Sequence, residues 1–309
     1  MPTKRRASSA ELSRLTVLAA GDQHAFAAHA IELLASGDRL AREAALSALV
    51  ERPLPEARDA LRAMYFELDA DGPKRDQGAA MRVAIVRVLT SIADVRDAEI
   101  GARASETYEE ILGDDVSWTL RVHGLRMLVE LSPDLFPYYA IEHLDDCTSL
   151  RPEPANTAFA LLAGTDNYAP IYQWLIAGDR DPEIVANAFE MLSEGAPREV
   201  VRRYVVRVIE IALRKQDEAL ITVLVEAIVR LEFDDAYPAL DRVFSSKLSD
   251  ELYNYLALLL AGTNRAPLLA ILEQQLHSGR RPRVIVDALR VRTTPEQAAI
   301  LRRWEEGEE

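Results

Sequence analysis

Cysteine is all but missing from this chain of 309 residues. Cys147 stands alone, so no intrachain disulfide can form. Lysine is nearly as rare: of 36 basic residues only Lys4, Lys74, Lys215 and Lys247 are lysine, and the rest are arginine. Glycine (13) and proline (15) are too few for a fibrous or disordered chain. Aromatics make up 6%, which suits a core filled by alanine and leucine. The longest apolar stretch, around Tyr255–Ala261, is too short to cross a bilayer. The basic start MPTKRRASSAELSRL has no long apolar run behind it, so no secretory leader is expected and the reading is cytoplasmic. Sustained period-2 alternation is absent, which argues against a sheet. There is no GxSxG, no phosphate-cradling glycine loop, no GxGxxG and no HExxH.

What is abundant is helix punctuation. Prolines head short amphipathic stretches at Pro55, Pro137, Pro170, Pro197, Pro238, Pro267 and Pro295. Proline suits the first helical turn, where its missing N–H has no intrahelical partner. From Pro137 onward the intervals are 33, 27, 41, 29 and 28 residues. A second marker, a small residue followed by a large one, recurs at Ala45-Leu46, Ala84-Ile85, Gly124-Leu125, Ala158-Phe159, Ala188-Phe189, Ala227-Ile228, Ala257-Leu258 and Ala288-Leu289. The small side chain lets two helix backbones approach and the large one fills the groove beside it. Breaks such as Gly21-Asp22, Gly37-Asp38 and Gly178-Asp179 read as a helix end followed by an N-cap. Val200–Leu213 is rich in β-branched residues, but its apolar spacing and flanks predict helix. Together these predict about 18 helices in eight or nine pairs, an all-α solenoid.

The segment LLAGTDNYAPIYQWLIAGDRDPEIVANAFEML, partly repeated at Leu259–Pro267 as LLAGTNRAP, resembles a HEAT repeat, in particular the short repeats of the phycobilin-lyase group. AREAALSAL at Ala41–Leu49 resembles the second helix of the same unit. The resemblance implies a right-handed α-α superhelix. On this reading residues 1–9 form a basic disordered arm, 10–305 one HEAT-like array, and 306–309 an acidic tail. It implies no single activity, because such arrays serve unrelated tasks.

Reactive constellations are absent. His24 and His29 are badly spaced for one helical face. The five histidines (with His123, His143 and His277) are expected to be solvated or capping, and no metal or cofactor is expected. Cys147 follows Asp145-Asp146, which would raise its thiol pKa rather than activate it. The pairs Asp114-Asp115, Asp145-Asp146 and Asp234-Asp235 read as helix caps. Trp118, Trp174 and Trp304 read as core or end-cap residues. Asp69–Gln77 is the longest polar interruption, read as an inter-helix loop or a mobile binding loop.

Charge is the one uneven property. The formal net charge is −14, yet Arg198–Lys215 carries +4, Arg280–Arg303 carries +5 and the N-terminal arm +3. The expected function is therefore a non-enzymatic protein-binding scaffold, using a concave face or a basic C-terminal patch. Arg202, Arg203, Arg207, Arg280, Arg281 and Arg283 are the candidate partner-binding residues. No membrane partner is expected. HEAT-like DNA glycosylases use a concave basic groove with aromatics. The alternative function is a nucleic-acid-binding protein of that kind, although no such basic–aromatic signature is visible here and the net charge disfavours nucleic acid. A chromophore lyase is suggested by repeat type alone, with no residue to carry it.

Overall fold

The computed structural model describes residues 15, 17–18, 21–148, 150–178, 180–278 and 281–308. The proposed arm 1–9 and Arg280 lie outside them. The described residues form 18 α-helices and one two-residue hairpin, so the chain is all-α. The helices begin where the sequence supplies caps. Asp22, Asp38, Asp181 and Asp217 each accept from a backbone N–H of the first turn. Each such cap contributes about 1 kcal/mol. Pro182, Pro282 and Pro295 open their helices outright.

The chain divides into two compact units, 1–167 and 168–309. The first holds α1 (Gln23–Leu34), α2 (Arg39–Glu51), α3 (Arg58–Asp69), the single turn α4 (Gly72–Arg75), α5 (Ala80–Ile92), α6 (Ala98–Ser105), α7 (Trp118–Leu131), α8 (Phe136–Glu142) and α9 (Ala155–Gly164). Strands β1 (Glu110–Ile111) and β2 (Asp114–Asp115) form an antiparallel hairpin between α6 and α7. The second holds α10 (Tyr168–Ala177), α11 (Pro182–Gly195), α12 (Arg198–Lys215), α13 (Glu218–Arg230), α14 (Tyr237–Ser245), α15 (Asp250–Gly262), α16 (Ala266–Ser278), α17 (Pro282–Val291) and α18 (Pro295–Glu308). The β-branched stretch Val200–Leu213 is helical, as its spacing predicts. The acidic run Glu305–Glu308 continues α18.

Within the first unit α2 packs on α5, α5 on α7 and α7 on α9. Within the second, α11 packs on α13, α13 on α15 and α15 on α17, while α14 packs on α16 and α16 on α18. Each unit thus has a row of second helices. Their burial patterns align: residues 41–51, 81–91 and 120–130 expose the same positions and share the same main buried ones. This register sets Ala45 against Ile85 and Gly124. It shifts by one the small–large marker at Ala84, which is only half-buried. The close approach is real at Gly124: a Cβ there would meet the Ser105 backbone N at 2.5 Å and the Gly101 carbonyl oxygen at 2.8 Å.

The register also reveals an arginine ladder. Arg42, Arg82 and Arg121 occupy one equivalent position on α2, α5 and α7. Each reaches back six residues within its own repeat: Arg42 to the Ser36 carbonyl oxygen, Arg82 to Asp76, Arg121 to Asp115. Each also reaches a carboxylate in the next repeat. Arg42 grips Glu67 at 3.1 and 3.0 Å, Arg82 grips Glu109 at 2.7 and 2.8 Å, and Arg121 donates to Asp146 at 2.9 Å. Arg82 and Arg121 are fully buried. Burial pulls the Arg82 pKa down, but Glu109 and Asp76 more than offset it and hold it above the ordinary value.

Two expectations change here. Asp69–Gln77 is not a plain loop: it contains α4, and Asp76 is fully buried on the α5 backbone and on Arg82. Asp115 and Asp146 are ladder acceptors rather than simple caps, because Arg121 brings a buried charge that both must neutralise.

Candidate functional site

The basic residues singled out by sequence have different fates in the second unit. On α12, Arg202 donates to both Glu199 oxygens and, at 2.7 Å, to Asp235 of the next repeat. Hydrogen bonding to Glu199 raises its pKa further. Arg203 is exposed, with Glu199 3.9 Å away. Arg281 is a structural clamp. It donates to the Leu248 and Ser249 carbonyl oxygens at 2.9 and 3.1 Å, pairs with Asp250 at 2.8 Å and stands over the Tyr253 ring. Arg283 is exposed in the first turn of α17. The main neighbours of α12 are α10, α11 and α13, while those of α17 are α15, α16 and α18. The two basic runs are therefore not built on one another.

Arg207 is different. It makes no ion pair among the described residues and lines a cavity of about 120 Å³ bounded by α10, α11, α12 and α13. The walls are apolar: Leu175, Ile176, Val185, Val208, Ile211 and Leu220. Among the described residues, Arg180, Arg207, Lys215 and Asp217 are the charged groups at the lining. Asp217 is already committed to capping α13 through the Leu220 N–H at 3.0 Å. Arg180 lies 5.2 Å from the Trp174 ring centroid, and Trp174 is buried. Gly178, with φ +77°, gives the left-handed turn that carries the chain from α10 past the cavity. The site has room for one bulky apolar side chain, ringed by positive charge. Among the described residues its lining holds no nucleophile–base pair.

A second groove, about 370 Å³, runs along the second helices α11, α13 and α15. Phe189, Val223, Ala227 and Leu259 form its apolar part. Its polar groups answer one another: the Tyr255 hydroxyl donates to Glu226, and Arg230 donates to Ser193 Oγ at 2.7 Å. Glu226 pushes the Tyr255 hydroxyl up to about 12.

The histidines depart from expectation. His24 and His277 are exposed, but His29 and His143 are buried and His123 is half-buried. His143 Nδ1 lies 3.3 Å from the Tyr108 hydroxyl and 3.2 Å from Asp146. His29 and His123 face inward from their helices and His143 sits at the C-cap of α8, which residue spacing alone did not reveal. Of the tryptophans only Trp174 is buried; Trp118 and Trp304 are half-buried. Cys147 is half-buried. Among the described residues no group of three or more His, Cys, Asp or Glu side chains is placed to hold a metal ion. Nor is any helix among them long and apolar enough to cross a membrane. No family model matches the chain, and no curated protein matches it.

Proposed function

We propose that this protein is a non-enzymatic binding scaffold whose helix pairs stack, within each unit, in the manner of HEAT-like repeats. Its partner is a protein in the cytoplasm. The partner presents an acidic amphipathic segment to the cavity between α10, α11, α12 and α13. One observation carries this reading: an apolar pocket bordered by Arg207, which is exposed and makes no ion pair among the described residues, with Arg180 and Lys215 also on its lining. An apolar side chain entering the pocket loses contact with water, and flanking carboxylates meet the cations. Both follow helix-in-groove recognition, in which anchors at i, i+3 and i+4 share one face. The basic run of α12 contributes through Arg207 rather than through Arg202, which its neighbours Glu199 and Asp235 hold.

The test uses two helical peptides of the same leucine spacing, one flanked by glutamate and one by lysine. Trp174 fluorescence, beside Arg180, reports occupancy in a Trp118→Phe/Trp304→Phe background. The glutamate peptide should bind, weaken with salt, and lose about tenfold or more in affinity in Arg207→Glu. The lysine peptide should not bind. Equal binding of both peptides, or of neither at low salt, defeats the reading.

A further inference from the structure

The second-helix register that exposes the ladder also lines up exposed positions from helix to helix. In the first unit one such position holds Ser47 on α2, Arg87 on α5 and Arg126 on α7. Helices α5 and α7 pack directly on each other. Axes of packed helices run about 8–10 Å apart. Two long arginine side chains in register on such neighbours can therefore converge on one small ion.

Most other described arginines of this unit pair with a carboxylate. Arg42, Arg58, Arg62, Arg82, Arg96, Arg103, Arg121 and Arg151 each meet a carboxylate within 4 Å. Arg87 and Arg126 make no ion pair among the described residues, although the chain as a whole carries net charge −14. The carboxylates nearest in the fold do not serve them. Glu43 and Glu51 share a groove with Arg87, and Glu130 follows Arg126 by one turn on α7; Glu43 is held by Arg39 at 2.7 Å, and among the described residues neither Glu51 nor Glu130 forms a salt bridge. His123 lies three residues before Arg126 on α7, so the two share a face. Burial, then Arg126, then Arg87 push His123 down to about 4, and no carboxylate is among the groups acting on it. At neutral pH it is an uncharged ring with one N–H to donate. Two uncompensated guanidinium groups beside a neutral donor make a receptor for an oxyanion. Guanidinium groups bind such ions by paired N–H donors, and each charge-assisted bond is stronger than a neutral one.

We propose that Arg87, His123 and Arg126 form an oxyanion site on the second-helix face of the first unit, for a doubly charged, phosphate-type group. Arg87 and Arg126 clamp the oxygens from two successive repeats, and the His123 ring donates from the side. The site is separate from the cavity of the second unit and does not depend on that cavity's function.

The experiment follows the His123 ring by NMR in the full chain. Sulfate is the first probe, because it stays doubly charged throughout the titration. Sodium chloride at matched ionic strength separates binding from screening. A bound dianion favours the imidazolium, so sulfate should raise the His123 pKa by about one unit or more over chloride. In Arg87→Gln/Arg126→Gln the starting pKa should be higher, because two repelling charges are gone, and sulfate should then add nothing beyond chloride. Both residues are exposed, so an unchanged circular dichroism spectrum is expected to confirm the fold. At neutral pH, inorganic phosphate and a phosphoserine peptide serve as two arms read by the same ring signal. Tighter binding of the peptide assigns a phosphorylated partner segment; tighter binding of inorganic phosphate assigns a free ion. A His123 pKa that responds identically to sulfate and chloride overturns the proposal, as does a sulfate response that survives in the double variant.

Discussion

The two units place opposite chemistry at the same helical position. In the first, the residue in the ladder register is Arg42, Arg82 and then Arg121. In the second it is Val185, Ile221 and then Tyr253, all buried. The first unit ties repeat to repeat through arginine–carboxylate pairs, with Arg82 and Arg121 fully removed from water. The second does so through apolar contacts inside, such as Phe189 against Tyr204, and through exposed pairs such as Arg202–Asp235 and Arg265–Glu232. The difference is energetic as well as chemical. Exposed pairs contribute about 0–1 kcal/mol each. A buried pair adds little net stability over an apolar pair, yet becomes very costly when one partner is lost. The first unit is therefore expected to be the less tolerant of single changes.

The sharpest way to break this comparison is Arg82→Leu. It strands Glu109 and leaves Asp76 with only its backbone partners, the Met81 and Arg82 N–H groups. The expected loss is about 3–5 kcal/mol in denaturant unfolding of the first unit. Adding Glu109→Leu should restore a large part of it, because the position then resembles Ile221 in the second unit. A single variant as stable as the native chain would mean the ladder is ornamental.

Gly124→Ala tests the packing that brings the ladder helices together. The new methyl would press on the Ser105 nitrogen and the Gly101 carbonyl, both backbone atoms that cannot swing away. A loss of about 1–3 kcal/mol is expected by the same unfolding measurement. Gly164 and Gly262, helical glycines with nothing near the would-be Cβ, should tolerate alanine without loss.

Acid should separate the units. Burial alone would raise Asp115 and Asp146, but hydrogen bonds and charge from Arg121, with Ser117 and His143, hold both below the ordinary value of 3.8. A carboxylate depressed in the folded state binds its proton more readily when unfolded. Its stabilisation is complete above the unfolded pKa and is lost as pH falls through the folded value. The first unit should thus weaken below about pH 4. Pepsin at about pH 3 should cut first within residues 1–167, and first cuts confined to 168–309 would reverse the assignment.

Much of the architecture was legible because caps are local. Asp38, Asp181, Pro282 and Pro295 announce helix starts within a few residues, and the structure starts helices there. The ladder was legible in principle as an aspartate six residues before an arginine, at Asp76/Arg82 and again at Asp115/Arg121. It was hidden because its third partner arrives 25 to 27 residues later. The basic patch failed to read as one surface for the same reason. Counting charge along Arg198–Lys215 cannot reveal that Asp235, 33 residues on, sits against Arg202. Nor can it reveal that Arg281 is spent on the Leu248 and Ser249 carbonyls. Arg207 faces a cavity instead because its helix turn points it toward Leu220 and Val185, a matter of phase that composition does not carry.

The smallest effect should come from Tyr253→Phe, and its sign is the informative part. Tyr253 stands where the first unit has arginine, and its ring packs edge-on against Phe244 with centroids 5.1 Å apart. Its hydroxyl is buried without a hydrogen-bond partner among the described residues. Removing that oxygen loses no hydrogen bond and spares the cost of keeping a polar atom dry. Phenylalanine keeps the ring beneath Arg281. The variant should be equal to or up to about 1 kcal/mol more stable than the native chain in denaturant unfolding. A clear loss would mean that the hydroxyl is bonded after all. The ladder register would then be polar in both units, and the contrast between them would shrink to one of charge alone.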